Sequence, residues 1–217
     1  HDKGTIKTDL NFPVHAFVDA ELMVSVPPLT TALTGIDAFA HCFESYIGSK
    51  ANTISEMFSR QGMSLFVKYI RRAVKDGKDL EAREMMAYAE NIAGMAFSNA
   101  GLGMVHAMAH ALGGHSNLPH GVCNAVLLPY VLRFNSRDGE IRRRLVRVAE
   151  AMDLSERTPE AVIEKTHALA GELGIPSTLR EAAEGKVAPD AFGALADLAL
   201  HDSCMETNLI TPTRQEV

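Results

Sequence analysis

The chain has 217 residues, of which 47% are hydrophobic and 22% charged, and its formal net charge at pH 7 is −6. That length and composition favour one or two globular domains with a sizeable core. The acidic balance and the lack of a basic patch with interleaved aromatic residues exclude a nucleic-acid surface, and no apolar run is long enough to span a membrane.

The predicted elements begin with one candidate strand. Residues 12–28 start as a short β-rich run and end in the break Pro27-Pro28. An isolated strand cannot satisfy its own backbone hydrogen-bonding groups. The run therefore requires either a hairpin partner in residues 4–8 or a sheet outside this chain.

From Thr30 onward the pattern is helical, with apolar residues at helical spacing and capping residues between the segments. The first five predicted helices cover residues 30–48, 53–74, 79–100, 103–112 and 117–134. An apolar stripe from Ile141 to Met152 indicates a sixth helix. A seventh starts at Pro159 and stops at Gly174, and an eighth covers about 189–201. We therefore predict an all-α helical bundle with at most a short β element at its N-terminus.

The first helix, residues 30–48, carries Asp37, His41 and Glu44 at positions i, i+4 and i+7. These three residues form one polar stripe, and apolar residues repeat beside it, so the helix is expected to be buried. A buried carboxylate and a buried imidazole need partners inside the protein. A divalent cation would satisfy both groups.

The segment 101–121 holds four of the chain's nine histidines and has glycine at both ends. These histidines are His106, His110, His115 and His120. The first two are four residues apart and so share a helix face. The glycine pair at 113–114 and Pro119 are predicted to break the helix, which allows the last of the four to return toward the same place.

Asp37, His41, His106 and His120 together make a set of three imidazoles and one carboxylate. Borderline divalent metals such as Fe²⁺ or Zn²⁺ suit such a set. A lone histidine on an apolar face is more often a core residue than a ligand, but four candidate ligands in two short segments favour a metal site.

Each of these residues also has a plainer interpretation. Asp37 would serve as a first-turn aspartate that complements the helix dipole, and His120 as a turn histidine that faces solvent. His110 would be a core histidine bonded to a backbone carbonyl, and His115 a loop or pocket-lining residue. Glu44 would either orient a ligand imidazole from behind or fill a buried capping role.

Residues 34–48 and 101–135, the latter including the run Leu118-Pro-His-Gly-Val-Cys-Asn-Ala-Val-Leu-Leu-Pro129, resemble the iron-containing (group III) alcohol dehydrogenases. Weaker similarity extends from Phe12 to the tail at residues 204–208. The resemblance implies an all-helical C-terminal domain of the dehydroquinate synthase-like type. A nucleotide-binding half with a Gly-Gly-Gly-Ser motif precedes that domain in the family. Residues 1–28 are then expected to be the end of the nucleotide-binding domain, and residues 29–217 the metal-binding catalytic domain.

By this resemblance the metal ligands are Asp37, His41, His106 and His120. His110 matches the family's additional active-site histidine, a catalytic residue near the nicotinamide of the cofactor. The implied activity is the NAD- or NADP-dependent interconversion of small alcohols and aldehydes or ketones, with Fe²⁺ or Zn²⁺ polarising the substrate oxygen. A homo-oligomer of two or more chains is implied, with no nucleic-acid or membrane partner.

The chain has three cysteines, Cys42, Cys123 and Cys204, which are widely spaced and typical of reduced thiols. Disulfides persist in oxidising compartments, so reduced cysteines favour a cytoplasmic protein.

Two alternative functions remain open from the residues alone. One is a helical metal-dependent hydrolase, suggested by the pair His201-Asp202. The other is a non-catalytic helical domain.

Overall fold

The computed structural model describes residue 8 and residues 13–217, and in that part of the chain it contains helices and loops but no strand. The helices are α1 (Pro28–Ile47), α2 (Thr53–Lys75), α3 (Leu80–Ala100), α4 (Met104–Ser116), α5 (His120–Asn135), α6 (Gly139–Ala151), α7 (Pro159–Glu172), α8 (Leu179–Ala183) and α9 (Phe192–Leu200). The prediction of an all-helical fold is confirmed. The five-residue helix α8 had no counterpart among the predicted helices, because it is too short to show a periodicity.

The candidate strand before Pro27 is not formed where the structure describes it. Residues 13–19 form neither helix nor strand, and Ala20–Met23 form a 3₁₀ turn capped by the Asp19 side chain. The physical reason is that a β-rich run becomes a strand only when another strand pairs with it. Residues 4–7 of the expected hairpin partner, and Phe12, lie outside the described residues.

Helix α1 is the centre of the bundle, in contact with α2, α3 and α5. Its apolar residues surround most of its circumference, so it is buried on several sides. Phe39 stacks on Phe66 of α2 at 4.3 Å between ring centroids and meets Phe43 edge to face at 4.9 Å. This aromatic packing fixes the helix that carries Asp37, His41 and Glu44.

The helix boundaries follow the capping residues that the sequence offers. The Asn52 side chain accepts hydrogen bonds from the Ile54 and Ser55 backbone at the start of α2, and Thr158 caps α7 in the same way. None of the described helices is both long and apolar enough to cross a membrane. Cys42, Cys123 and Cys204 are buried thiols without a disulfide, as predicted.

Helices α4 and α5 form the hairpin that carries the histidines. The expected break at the glycine pair 113–114 is wrong, since α4 continues to Ser116. Glycine costs only about 1 kcal/mol within a helix, which packing readily offsets. Asn117 ends the helix in the left-handed conformation with φ of 55°, and Pro119 precedes α5. His120 is therefore the first residue of α5, and it does return toward His106.

Helix α5 packs on α1 so closely that Gly121 has no room for a side chain: an added Cβ would lie 2.3 Å from the Leu33 carbonyl oxygen. We expect Gly121→Ala to lower the free energy of unfolding by about 1–3 kcal/mol, because the two backbones must separate. Urea unfolding in the presence of a chelator measures this.

The matched control for Gly121 is Gly171→Ala in α7, where no atom lies within 4 Å of the added Cβ. We expect that variant to be neutral or more stable by up to about 1 kcal/mol. Equal unfolding midpoints for the two variants would contradict the close approach of α5 to α1.

Candidate metal centre

Three helices bring the four predicted ligands together around one carboxylate oxygen. Asp37 and His41 come from α1, His106 from α4 and His120 from α5. From Asp37 Oδ1, the distance is 3.4 Å to His106 Nε2, 3.6 Å to His120 Nε2 and 3.9 Å to His41 Nδ1. His120 therefore does not simply face solvent from a turn. Asp37 does more than complement the dipole of its helix.

The distances from Asp37 Oδ1 fit a divalent cation, and the ligand atoms of Asp37, His41 and His106 also lie within 4.8 Å of one another. Four atoms that bind one ion tetrahedrally at about 2.1 Å lie about 3.4 Å from one another. His41 Nδ1 is buried and has no hydrogen-bond partner among the described residues, which is unusual for a polar atom in a core. Three imidazoles and a carboxylate suit Fe²⁺ or Zn²⁺. The geometry, the orphaned nitrogen and the donor chemistry are thus consistent with the same ligand.

The burial of the centre is uneven. The side chain of His106 is 2% exposed, whereas those of Asp37 and His120 are 24% and 27% exposed. The ring of His41 lies between the rings of His106 and Phe97, with centroids 4.4 and 4.7 Å away. One side of the centre is therefore closed by protein, and the side of Asp37 and His120 is open.

Glu44 performs both of the roles that its sequence position suggested. Its carboxylate accepts a hydrogen bond from His106 Nδ1 at 2.6 Å, which fixes the ring with Nε2 toward Asp37. It also accepts from the backbone N–H of Val105 at 2.6 Å and of His106 at 3.3 Å. A carboxylate at the first turn of α4 is favourable, because unpaired N–H groups are concentrated there.

Gly103 allows this approach of Glu44 to the start of α4. A Cβ at Gly103 would lie 2.9 Å from Glu44 Oε1 and 2.8 Å from Asn208 Oδ1. The Asn208 oxygen accepts from the backbone N–H of Met104 at 3.2 Å. Any larger residue at position 103 would push these two acceptors away from the helix.

The surroundings tune the protonation of the ligands. Burial alone would raise the pKa of Asp37, but the hydrogen bond with His106 and the neighbouring imidazoles outweigh burial and lower the pKa to about 2. Burial, together with His106, lowers the pKa of His41 to about 3. Burial would also lower the pKa of His106, but Asp37 and Glu44 raise it to about 9. At neutral pH Asp37 is a carboxylate and His41 a neutral imidazole, the forms that bind metals, whereas His106 carries a proton that a cation must displace from Nε2.

His110 lies beside the four ligands without occupying the same position. Its ring stacks on that of His120 at 5.3 Å between centroids. Its Nδ1 bonds to Asp202 Oδ2 at 2.8 Å rather than to a backbone carbonyl, so the plain core-histidine interpretation does not hold. Asp202 is itself fixed by the backbone N–H of Cys204 at 2.8 Å. His110, Asp202 and Cys204 also bring potential ligand atoms within 4.8 Å of one another.

Two residues were not assigned to the centre from the sequence: Asn124, and Asp202, which the sequence suggested only as a partner of His201. Asp202 is 92 residues from its partner His110 in the sequence. Asn124 donates from Nδ2 to Asp37 Oδ1 at 2.5 Å, and these two residues are 87 apart. No local spacing could indicate either pair, although Asn124 does follow His120 by one helical turn. His115 is exposed in the last turn of α4.

The chain matches the description "Fe-containing alcohol dehydrogenase family, C-terminal" over residues 31–217. It is 44% identical to alcohol dehydrogenase 4 of Schizosaccharomyces pombe, over all of this chain and 51% of that protein. It is 38% identical to 1,3-propanediol dehydrogenase of Klebsiella pneumoniae, over 95% of this chain and 54% of that protein.

Solved structures give the same result. A 1,3-propanediol oxidoreductase superposes with a TM-score of 0.85 at 41% identity, and covers 91% of this chain and 52% of its own. A sulfoacetaldehyde reductase from Bifidobacterium kashiwanohense, solved in complex with NAD⁺, gives 0.86 at 27% identity, with 97% and 54% covered. The chain therefore spans about half the length of the relatives it matches.

Glu44 offers a direct test of how the centre is held. We expect Glu44→Ala to lower the free energy of unfolding by about 3–5 kcal/mol, because His106 and two backbone N–H groups lose a buried partner. Glu44→Gln keeps an acceptor oxygen and should lose less. Urea unfolding in chelator measures both variants. An unchanged midpoint for Glu44→Ala would show that the carboxylate does not hold α4 to α1.

Proposed function

The chain belongs to the Fe-containing alcohol dehydrogenase family as its C-terminal metal-binding domain, and on that basis we propose that Asp37, His41, His106 and His120 bind one Fe²⁺ or Zn²⁺. The observation that carries the proposal is the convergence of three imidazole nitrogens within 3.4–3.9 Å of Asp37 Oδ1. The orphaned His41 Nδ1 supports it independently.

We propose that the whole protein interconverts a small primary or secondary alcohol with its aldehyde or ketone, using NAD or NADP. When bound, the cation would supply Lewis acidity toward the substrate oxygen, and a nicotinamide cofactor would supply the hydride-transfer chemistry. The open side at Asp37 and His120 supports this proposal, because a substrate oxygen could join the four protein ligands there as a fifth ligand.

His110 is the proposed proton-transferring residue, because it lies beside the four proposed ligands without being one of them. Asp202 holds its Nδ1, which leaves Nε2 as the ring nitrogen on the other side. In the oxidative direction the substrate alcohol loses a hydride and a proton, and His110 accepts the proton at Nε2. In the reductive direction it returns that proton to the oxygen. The side chain is 18% exposed, so the ring is accessible.

The relatives named above suggest the rest of the architecture. We propose that residues 1–28 end a nucleotide-binding domain and that residues 29–217 form the catalytic domain. A cytoplasmic homo-oligomer is part of the same proposal, and the three buried cysteines, none of them in a disulfide, support the cytoplasmic location. The hydrolase alternative required His201 and Asp202 to act as a pair, and they do not contact each other in this way. His201 is exposed and its Nδ1 bonds to the Asp197 carbonyl, while Asp202 bonds to His110.

The ligand assignment is tested by His120→Ala with His115→Ala as its control. We expect His120→Ala to lose most of its metal on dialysis, because it removes one of four ligands. His115→Ala should keep one metal per chain, since that side chain is exposed at the end of α4. Metal content is measured by mass spectrometry of the dialysed full-length protein. Full metal content in His120→Ala would overturn the assignment.

The role of His110 is tested by His110→Ala and Asp202→Asn in the full-length protein. We expect His110→Ala to lower turnover by about 10²–10⁴-fold, typical for loss of a proton-transferring residue. Asp202→Asn should lower it by about 10–100-fold, because the ring is no longer fixed. Reduced nicotinamide is followed spectroscopically with a panel of short alcohols, and metal content is measured alongside. Loss of metal in His110→Ala would make it a ligand, and unchanged turnover would make it a structural histidine.

A further inference from the structure

Asn124 places an amide in the middle of the metal centre. It lies on α5 one turn after His120, so both side chains leave the same face of the helix. The residue is completely buried, at 0% exposure. Its Nδ2 lies 2.5 Å from Asp37 Oδ1, 3.2 Å from His120 Nε2 and 3.4 Å from His106 Nε2. One amino group thus faces three of the four proposed ligands.

Asp37 determines which way the amide points. If the amide were reversed, Asn124 Oδ1 would stand against Asp37 Oδ1, and two acceptors cannot share that contact. With the amino group toward Asp37, the other end of the amide faces the interior. Asn124 Oδ1 is buried and has no hydrogen-bond partner among the described residues.

This arrangement is costly for the fold alone. A buried acceptor without a partner loses its hydration and gains nothing in return. An apolar side chain of similar size would avoid that cost at position 124. The amide is therefore explained by what its amino group does at the centre, since a buried unsatisfied group in a native structure usually marks a functional constraint.

The amino group donates to Asp37 Oδ1, a carboxylate oxygen whose second lone pair remains available to a cation. Metal binding requires an ionised Asp37 and imidazole nitrogens that carry no proton toward the cation. The amide hydrogens carry partial positive charge. They hold the Asp37 carboxylate at the centre whether or not a cation is bound.

We propose that Asn124 is a positioning residue for metal binding: it holds the Asp37 carboxylate in place and keeps the ligand atoms of α1, α4 and α5 together before the cation arrives. Part of the metal affinity is then set by a residue that is not itself a ligand. The inference rests on the proposed function, since it requires that Asp37 and the three histidines bind a metal.

The test measures the affinity of the full-length protein for Zn²⁺ rather than its activity. The protein is stripped of metal, and the Zn²⁺ dissociation constant is obtained by competition with a chromophoric chelator. Asn124→Leu keeps a similar volume but removes the donor. We expect its affinity to fall by about 10–100-fold, as is typical when a partner of a metal ligand is removed.

Asn135→Leu is the matched control. Asn135 is on the same helix, is 1% exposed and exchanges hydrogen bonds with Asn208 at 3.0 and 3.2 Å. We expect this variant to lose stability and keep its affinity for Zn²⁺. The visible absorption of the Co²⁺-loaded protein, which reports ligand geometry, should change in Asn124→Leu and not in Asn135→Leu.

Each outcome decides a different point. One contrary outcome is that the unaltered protein binds Zn²⁺ and Asn124→Leu binds it equally well. Another is that both variants lose affinity by the same factor. In either case the positioning role is wrong, and Asn124 only holds α5 to α1. If the unaltered protein binds no Zn²⁺, the proposed function itself fails, and the inference with it. Asn124→Ala removes the amide without adding bulk and carries the same expectation if the leucine variant does not fold.

Discussion

The imidazole of His106, held between two carboxylates, is the interaction on which the rest of the site depends. Glu44 accepts from Nδ1 at 2.6 Å, and Asp37 lies 3.4 Å from Nε2 on the other side. Both carboxylates belong to α1 and are two helical turns apart, so a single histidine ties the start of α4 to that helix. Such a buried charged cluster is stable only when every partner is present. The aromatic packing around Phe39 keeps α1 in the place that this requires.

The parts of the site that lie within one helix could be predicted from the sequence. The spacing of Asp37, His41 and Glu44 follows directly from 3.6 residues per turn. The start of α2 follows from the Asn52 capping box, and the return of His120 follows from Pro119. In each case the signal and the structural consequence lie within a few residues, so no knowledge of the tertiary fold is needed.

The parts that depend on tertiary pairing could not be predicted. Asn124 and Asp202 find their partners 87 and 92 residues away, and no periodicity records such a contact. The β-rich run before Pro27 shows the converse, because no strand among the described residues pairs with it and its propensity alone does not make a strand. The glycine pair at 113–114 did not end α4, since packing outweighs a small intrinsic cost.

The central claim is that one cation sits among Asp37, His41, His106 and His120. The most direct measurement is anomalous X-ray diffraction from crystals of the full-length protein grown with Fe²⁺ or Zn²⁺, recorded at the absorption edge of the metal. We expect a single strong peak per chain at this centre, with ligand distances of about 2.0–2.2 Å to the four side chains. A peak elsewhere, or a peak here with two or more of these side chains turned away, would contradict the claim.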